Sequence, residues 1–251
     1  MKKISKIDLS LFNKQLILKN VGFSGQNKIF SKKVLVIGIG GLGCPLLLYL
    51  ASSGIKNLGI VDGDKVEISN LNRQILFNIK DLGKYKVDKA SLFIKNLSKN
   101  IRIQKFKTYI NKNNIDKIAS NYDIICDGTD NFKSRLLIND FCVKKRKYLI
   151  SAAISKFDGH LMTFNFNKLG PCFRCYMPKI PREENNCSTE GIISTIGGII
   201  GSLQANEVIR VILKNGILES NMTIYDGIKN KFRHLKIEVN KKCINGCYSR
   251  H

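Results

Sequence analysis

An α/β fold is predicted, with a mixed sheet that is parallel in its N-terminal half and antiparallel in its C-terminal half. Three observations carry this. Short apolar β runs alternate with helical periodicity through the first 150 or so residues. A glycine-rich turn separates the first run from its helix. Farther on, a hairpin signal and alternating apolar positions replace the strand–helix rhythm.

Residues 34–37 (Val-Leu-Val-Ile) form the first β run, which stops at Gly38-Ile39-Gly40-Gly41-Leu42-Gly43. Pro45 suits a first helical turn, where its missing N–H has no partner to lose, and residues 46–51 continue that helix. Residues 58–61 form a second run, ending at Asp62 and Asp64. Strand, glycine turn, helix and strand make a βαβ unit, since parallel strands need a crossover. From Lys86, apolar Val87, Ala90, Ile94 and Leu97 recur at helical spacing, and Ile101 and Ile103 mark a strand. Residues 122–126 give another strand, ending in Asp127-Gly128-Thr129-Asp130-Asn131, followed by a helix over 132–145 and a strand over 148–153. Asp158-Gly159 has hairpin-turn character, with Met162, Phe164 and Phe166 alternating behind it. A polar loop over 178–191 leads to a long helix, with Gly216 as its left-handed cap, and strands over 223–225 and 235–239 close the chain. The expectation is one continuous domain over residues 1–251, a Rossmann-like three-layer fold.

The 251 residues are 43% hydrophobic, enough for a full core, which excludes global disorder. Formal net charge is +23. Lys supplies all but nine of the 42 basic residues, is scattered along the chain and accompanies many Asn. That pattern points to compositional drift with a mild preference for an acidic partner, and to no nucleic-acid face. No membrane partner is expected either, because the most apolar stretch carries Asn206, Glu207 and Arg210 and three glycines. Eight Cys without an export signal imply a reducing cytoplasm, where paired Cys bind metal more readily than they form disulfides.

A glycine turn lets backbone N–H groups approach phosphate at a helix N-terminus, and Asp62 stands where a ribose-hydroxyl acceptor belongs. Alone this fits a nicotinamide dehydrogenase as well as an ATP enzyme. Ser69-Asn70-Leu71-Asn72-Arg73-Gln74 then follows the second strand, where a dehydrogenase would start its next helix. Arg73 and Lys86 flank the same crevice, and two fixed cations suit a triphosphate. Asp130 lies past the C-terminal end of a parallel strand, where a carboxylate can hold Mg²⁺; its plainer role would be to cap the following helix.

These stretches, with Cys172-Phe173-Arg174-Cys175 and Gly201-Ser202-Leu203-Gln204-Ala205, resemble the ThiF/MoeB/HesA group of E1-like adenylating enzymes over essentially the whole chain. The resemblance implies MgATP-dependent activation of the C-terminal glycine carboxylate of a small ubiquitin-like sulfur-carrier protein, with pyrophosphate released. It is closest to the thiamine branch, with the molybdopterin branch as the alternative and a dehydrogenase as a lesser one. It implies that Gly38, Gly40, Gly41, Gly43, Asp62, Asp64, Ser69, Asn70, Arg73, Lys86, Asp130 and Asn131 contact ATP or its metal. It also implies a homodimer. In that dimer Lys14 stands where the family usually has an Arg reaching the partner subunit's ATP, and it lacks the planar guanidinium fork.

A carboxylate nucleophile is already ionised at neutral pH, which agrees with three His that all lie away from the nucleotide motifs. Cys172-x-x-Cys175 and Cys243-x-x-x-Cys247 suit a tetrahedral structural zinc, although the family's second pair normally has one residue fewer. Cys44, Cys126 and Cys142 have apolar contexts and are expected to pack. Cys187 sits in a polar loop; in the thiamine branch the Cys here is a candidate for a covalent link to the carrier, with a persulfide donor supplying sulfur.

Overall fold

The computed structural model describes residues 4–98, 100–179, 191–214 and 221–247. Strands β1 (Lys33–Ile37), β2 (Asn57–Val61), β3 (Arg102–Phe106), β4 (Ile124–Asp127) and β5 (Tyr148–Ser155) pair in parallel. Strands β6 (Asp158–Asn165), β7 (Asn221–Asp226) and β8 (Lys231–Lys236) extend the sheet antiparallel, giving the order β3-β2-β1-β4-β5-β6-β7-β8. The central strands are continuous apolar runs because both faces are covered. The edge strands β3 and β8 are charged and largely exposed, which discourages pairing with another chain.

One face carries α3 (Gly22–Ser31), α4 (Gly43–Ser52), α5 (Lys86–Leu97) and α9 (Ser194–Leu213); their apolar sides merge with Val34, Val36, Leu58 and Ile60 into one core cluster. The other carries α6 (Ile115–Ala119), α7 (Phe132–Lys145) and the single-turn α8 (Phe173–Tyr176), packed over Leu35, Ile37, Ile125 and Leu149. Helix, sheet and helix make three layers. Strand order reverses between β1 and β4, so the crevice at their C-terminal ends is where an open sheet binds ligands.

Several boundaries differ from the sequence reading. The hairpin turn is Lys156-Phe157, with Lys156 at φ 50°, and Asp158 and Gly159 already pair with Ser155 and Ile154. Gly159 is needed for packing, since a Cβ there would meet Ile200 Cγ1 at 2.2 Å. Helix α9 ends two residues early, at a left-handed Lys214, and Gly216 lies outside the described residues. The last strand begins four residues before Leu235 and stops before Val239. Short helices α1 (Lys6–Leu11) and α2 (Asn13–Leu16) carry no strong periodicity and depend on tertiary contacts. Asp8, nearly fully buried, pairs with Lys56 at 2.7 Å, and the Lys56 ammonium lies 3.9 Å from the Phe30 ring centroid.

By length and composition α9 could cross a membrane, yet it is a core helix, packed on α4, β5 and β6. Two glycines one turn apart permit that approach. A Cβ on Gly197 would lie 2.7 Å from the Gly41 carbonyl oxygen, and one on Gly201 would lie 2.6 Å from both Leu42 O and Pro45 Cγ. Gly201→Ala should therefore lose about 1–3 kcal/mol to overpacking. That exceeds the roughly 1 kcal/mol of helix propensity gained. Thermal melting of the variant a few degrees below wild type is expected, and an equal or higher midpoint would show that the helices part freely.

Candidate functional site

The glycine turn is held from both sides. Gly38 adopts φ 90°, and a Cβ on it would meet the Gly128 carbonyl oxygen at 2.8 Å. Its N–H donates to Val61 O, and the Gly128 N–H donates to Ile37 O. A Cβ on Gly43 would fall 2.0 Å from the Gly38 carbonyl oxygen, so the first turn of α4 can close only with glycine there. Above Gly40 the space is open, with Gln74 Nε2 4.0 Å from an added Cβ. Such a cradle suits phosphate oxygens.

Asp62 braces this turn. Its Oδ2 accepts from the Ile39 N–H at 2.7 Å and its Oδ1 from the Asp64 N–H at 2.8 Å. Burial raises its carboxyl above the ordinary value, against the lowering influence of Lys86 and of both N–H groups. Each oxygen keeps a second lone pair, so a ribose hydroxyl can still be accepted. Asp64 lies beside the same turn, half exposed. It accepts from the Lys86 ammonium at 2.7 Å and from the Tyr109 hydroxyl, and it is the counter-ion of a buried cation. Burial opposes the Asp64 charge, but the bonds from Lys86 and Tyr109 outweigh it and hold the carboxyl below its usual range. Tyr109, whose ring lies over Gly63, was not singled out from the sequence; donating to Asp64 pushes its phenol up to about 12, with Asp62 and Asp130 adding to the effect. The acids therefore share one neighbourhood.

The run after β2 is a built turn. Asn70 is buried, its side-chain oxygen accepting from the Glu67 N–H and its amide donating to Ser69 Oγ. This turn presents Arg73, which donates to Ser69 O at 2.7 Å and Asn72 Oδ1 at 3.2 Å and lays its stem over Gly41. Beside it a groove of about 230 Å³ runs between Pro45, Arg73 and the start of α9. Gln74 is buried, and its Oε1 has no hydrogen-bond partner among the described residues, an acceptor left over where a ligand donor would satisfy it.

Asp130 is exposed at the rim, and the capping role falls to its neighbour: Asn131 Oδ1 accepts from the Ser134 N–H at 2.8 Å. The loop is anchored from beneath by Asp127 and Arg135, neither evident from the sequence. Asp127 is fully buried; it accepts from the Thr129 N–H, the Thr129 hydroxyl and the Ser151 hydroxyl, and pairs with Arg135 at 3.4 Å. The one available signal was an acid at the end of an apolar strand, with an Arg one helical turn past the N-cap. Gln204 on α9 ties the end of β4 to the body of β5, donating to Asp127 O and Ile150 O.

The four expected metal ligands converge. Sulfurs of Cys172, Cys175, Cys243 and Cys247 lie within 4.8 Å of one another, with Cys172–Cys243 at 3.6 Å and Cys175–Cys247 at 3.4 Å. Four zinc–sulfur bonds of ~2.3 Å would set the sulfurs roughly 3.8 Å apart. The donor set fits. The extra residue of the second pair is absorbed at Gly246, φ 56°. Asn245 donates to both Cys172 Sγ and Asp140, and Asp140 also takes a two-pronged bond from Arg174. The hydrogen-bonding Cys247 thiol, aided by Cys243, lowers the Cys172 thiol against its burial, while burial raises Cys243. Burial also raises the thiols of Cys44, Cys126 and Cys142, which are inert core residues. Cys187 lies outside the described residues. Lys14 is exposed on α2, whose Gln15 side chain donates to Ser52 O.

Residues 12–245 match the ThiF family. The chain is 39% identical over 248 residues to the adenylyltransferase and sulfurtransferase MOCS3 of Culex quinquefasciatus, covering 98% of this chain and 56% of that protein. It is 41% identical over 244 residues to its counterpart in Dictyostelium discoideum, covering 96% and 57%. The chain thus spans little more than half the length of these relatives. Among solved structures, E. coli MccB with a MccA variant superposes with a TM-score of 0.84 at 21% identity, covering 98% of this chain and 76% of that one. E. coli MccB with ATP gives 0.80 at 21% identity, covering 97% and 82%. At that identity the likeness is one of fold.

Proposed function

The chain belongs to the ThiF family, and we propose that it uses ATP to adenylate the C-terminal carboxylate of a small ubiquitin-like sulfur-carrier protein. One observation carries the reading: Arg73, the Lys86–Asp64 pair, Asp62 and Asp130 gather around a glycine cradle at the C-terminal ends of β1, β2 and β4. The carrier carboxylate attacks the α-phosphorus, the bond to the β-phosphate bridging oxygen breaks, and pyrophosphate leaves with that electron pair. No proton is removed, so positioning and charge neutralisation suffice. Arg73 and Lys86 meet the phosphates, and Lys86 exchanges its Asp64 partner for an incoming oxygen. Asp62 receives ribose. Asp130 would hold Mg²⁺, which supplies charge neutralisation across the phosphates.

Of the two pathways open from the sequence, the relatives' name, adenylyltransferase and sulfurtransferase MOCS3, favours the molybdopterin-type alternative over the thiamine one. The four-cysteine cluster is assigned to a structural zinc. A homodimer is supported by exposed Ile7, Leu11, Ile17, Leu18 and Phe23 along the N-terminal helices that carry Lys14, an apolar surface suited to a second copy.

Asp130→Ala should abolish carrier-dependent ATP–pyrophosphate exchange while leaving the melting midpoint near wild type, since the side chain is exposed. Exchange at the wild-type rate would remove Asp130 from the metal site. Elemental analysis and light scattering of protein purified without chelator are expected to give about one zinc per chain and a dimer; a metal-free monomer contradicts both assignments.

Cys187 is proposed to act after adenylation. A persulfide on its sulfur, loaded by a persulfide donor, attacks the acyl carbon and displaces AMP, leaving an acyl disulfide. Cys187→Ser should keep pyrophosphate exchange and lose the reducible enzyme–carrier adduct on non-reducing gels. A persisting adduct would assign that role to another cysteine.

A further inference from the structure

We propose that Arg135 is a positioning residue for the Asp130 loop, and that the four-cysteine cluster acts on the loop through Phe173 and Arg135. Arg135 is a buried cation on α7, only 5% exposed. Its Nη2 donates to Thr129 O at 2.7 Å and to Ala152 O at 2.9 Å, and its Nε faces the buried Asp127 carboxylate at 3.4 Å. Asp127 in turn holds the Thr129 N–H at 2.9 Å and the Thr129 hydroxyl. One guanidinium thus fixes both the carbonyl and, through Asp127, the amide of the residue before Asp130.

The far side of that guanidinium rests on Phe173, with the ring centroid 5.8 Å away. Phe173 lies between two of the four cysteines, on a helix of one turn that cannot hold itself. What holds it is the cysteine cluster, together with its N–H bond to the buried Asn139 side chain at 2.9 Å. The order of contact is cysteine cluster, Phe173, Arg135, Asp127 and Thr129, Asp130. The cysteine cluster is therefore mechanically joined to the loop that carries the carboxylate, so loosening the cysteine turn withdraws the surface against which Arg135 is pressed. Lys cannot replace Arg135, because a point ammonium cannot reach two carbonyls and a carboxylate in one plane.

The inference rests on Asp130 being the carboxylate of the adenylation site, so its test includes an arm that needs no activity. Hydrogen–deuterium exchange resolved by overlapping peptides across 124–131 isolates the Thr129 amide from those of β4. Arg135→Lys keeps a cation opposite Asp127 and so keeps the fold; Phe173→Leu shortens the ring and leaves every cysteine in place. In both, and in wild-type protein stripped with a thiol-competing chelator, loop exchange should rise on the order of ten-fold or more while β1 and β2 keep wild-type rates. In Arg135→Lys, kcat for pyrophosphate exchange should fall by a similar factor with KM for the carrier unchanged. Wild-type loop exchange in Arg135→Lys overturns the positioning role. A rise in Arg135→Lys without one in Phe173→Leu or in stripped protein overturns the link to the cysteines. If loop exchange rises as expected but wild type shows no pyrophosphate exchange, the positioning role stands and only the adenylation reading falls.

Discussion

The carbonyl oxygen of Gly38 occupies the place where a side chain on Gly43 would have to sit, and much of the molecule follows from that contact. Only a side-chain-free turn lets α4 start directly over the end of β1. Once it does, its first-turn backbone is bare enough for α9 to pack on it through Gly197 and Gly201. Helix α9 then reaches back to the sheet, where Gln204 ties the end of β4 to the body of β5. A ligand cradle and a core packing solution are built from the same few glycines. Backbone crowding of this kind is costly to relieve, because backbone atoms cannot rotate away as side chains do.

Around that turn the charges are arranged in pairs whose members differ in freedom. Asp127 and Arg135 are sealed beneath the surface, and breaking such a pair on one side leaves an uncompensated charge that costs about 3–5 kcal/mol. Asp64 is half exposed and its partner Lys86 is buried, so this pair can exchange partners at the rim while the cation stays in place. Asp62 lies between these cases, its oxygens tied to backbone N–H groups of the turn it braces. The sealed pair fixes the scaffold. The rim pair meets solvent through its acid.

The cysteine cluster resolves a problem of the C-terminal tail, which has no strand beyond β8 among the described residues. Residues 240–247 return to α8 and α7 through sulfur, Asn245 and Asp140, and so the tail contributes Ile237, Cys243 and Cys247 to the second core. Four sulfurs at this spacing bring residues more than 70 positions apart into one small volume.

Local chemistry determined most of the fold. The βαβ unit, helices α5 and α7 and the change from parallel to antiparallel strands were legible because periodicity, Gly and Asp-Gly-Thr-Asp-Asn act over a few residues. The four cysteines and the Asn70–Arg73 turn were legible for the same reason, as residue types at fixed spacing. Tertiary structure alone decided the rest. Asp158-Gly159 read as a turn, yet pairing with β5 and the pressure of Ile200 on Gly159 moved the turn to Lys156-Phe157. Asp64 read as the acid closing a strand, and its partners Lys86 and Tyr109, 22 and 45 residues away, meet it only in the fold. Arg135 looked like any helical Arg until Phe173, Asp127 and Ala152 closed around it. Spacing along a chain encodes which groups are neighbours within a turn or a strand. Whether a charge is buried, and by what, depends on elements that meet only after the sheet has formed.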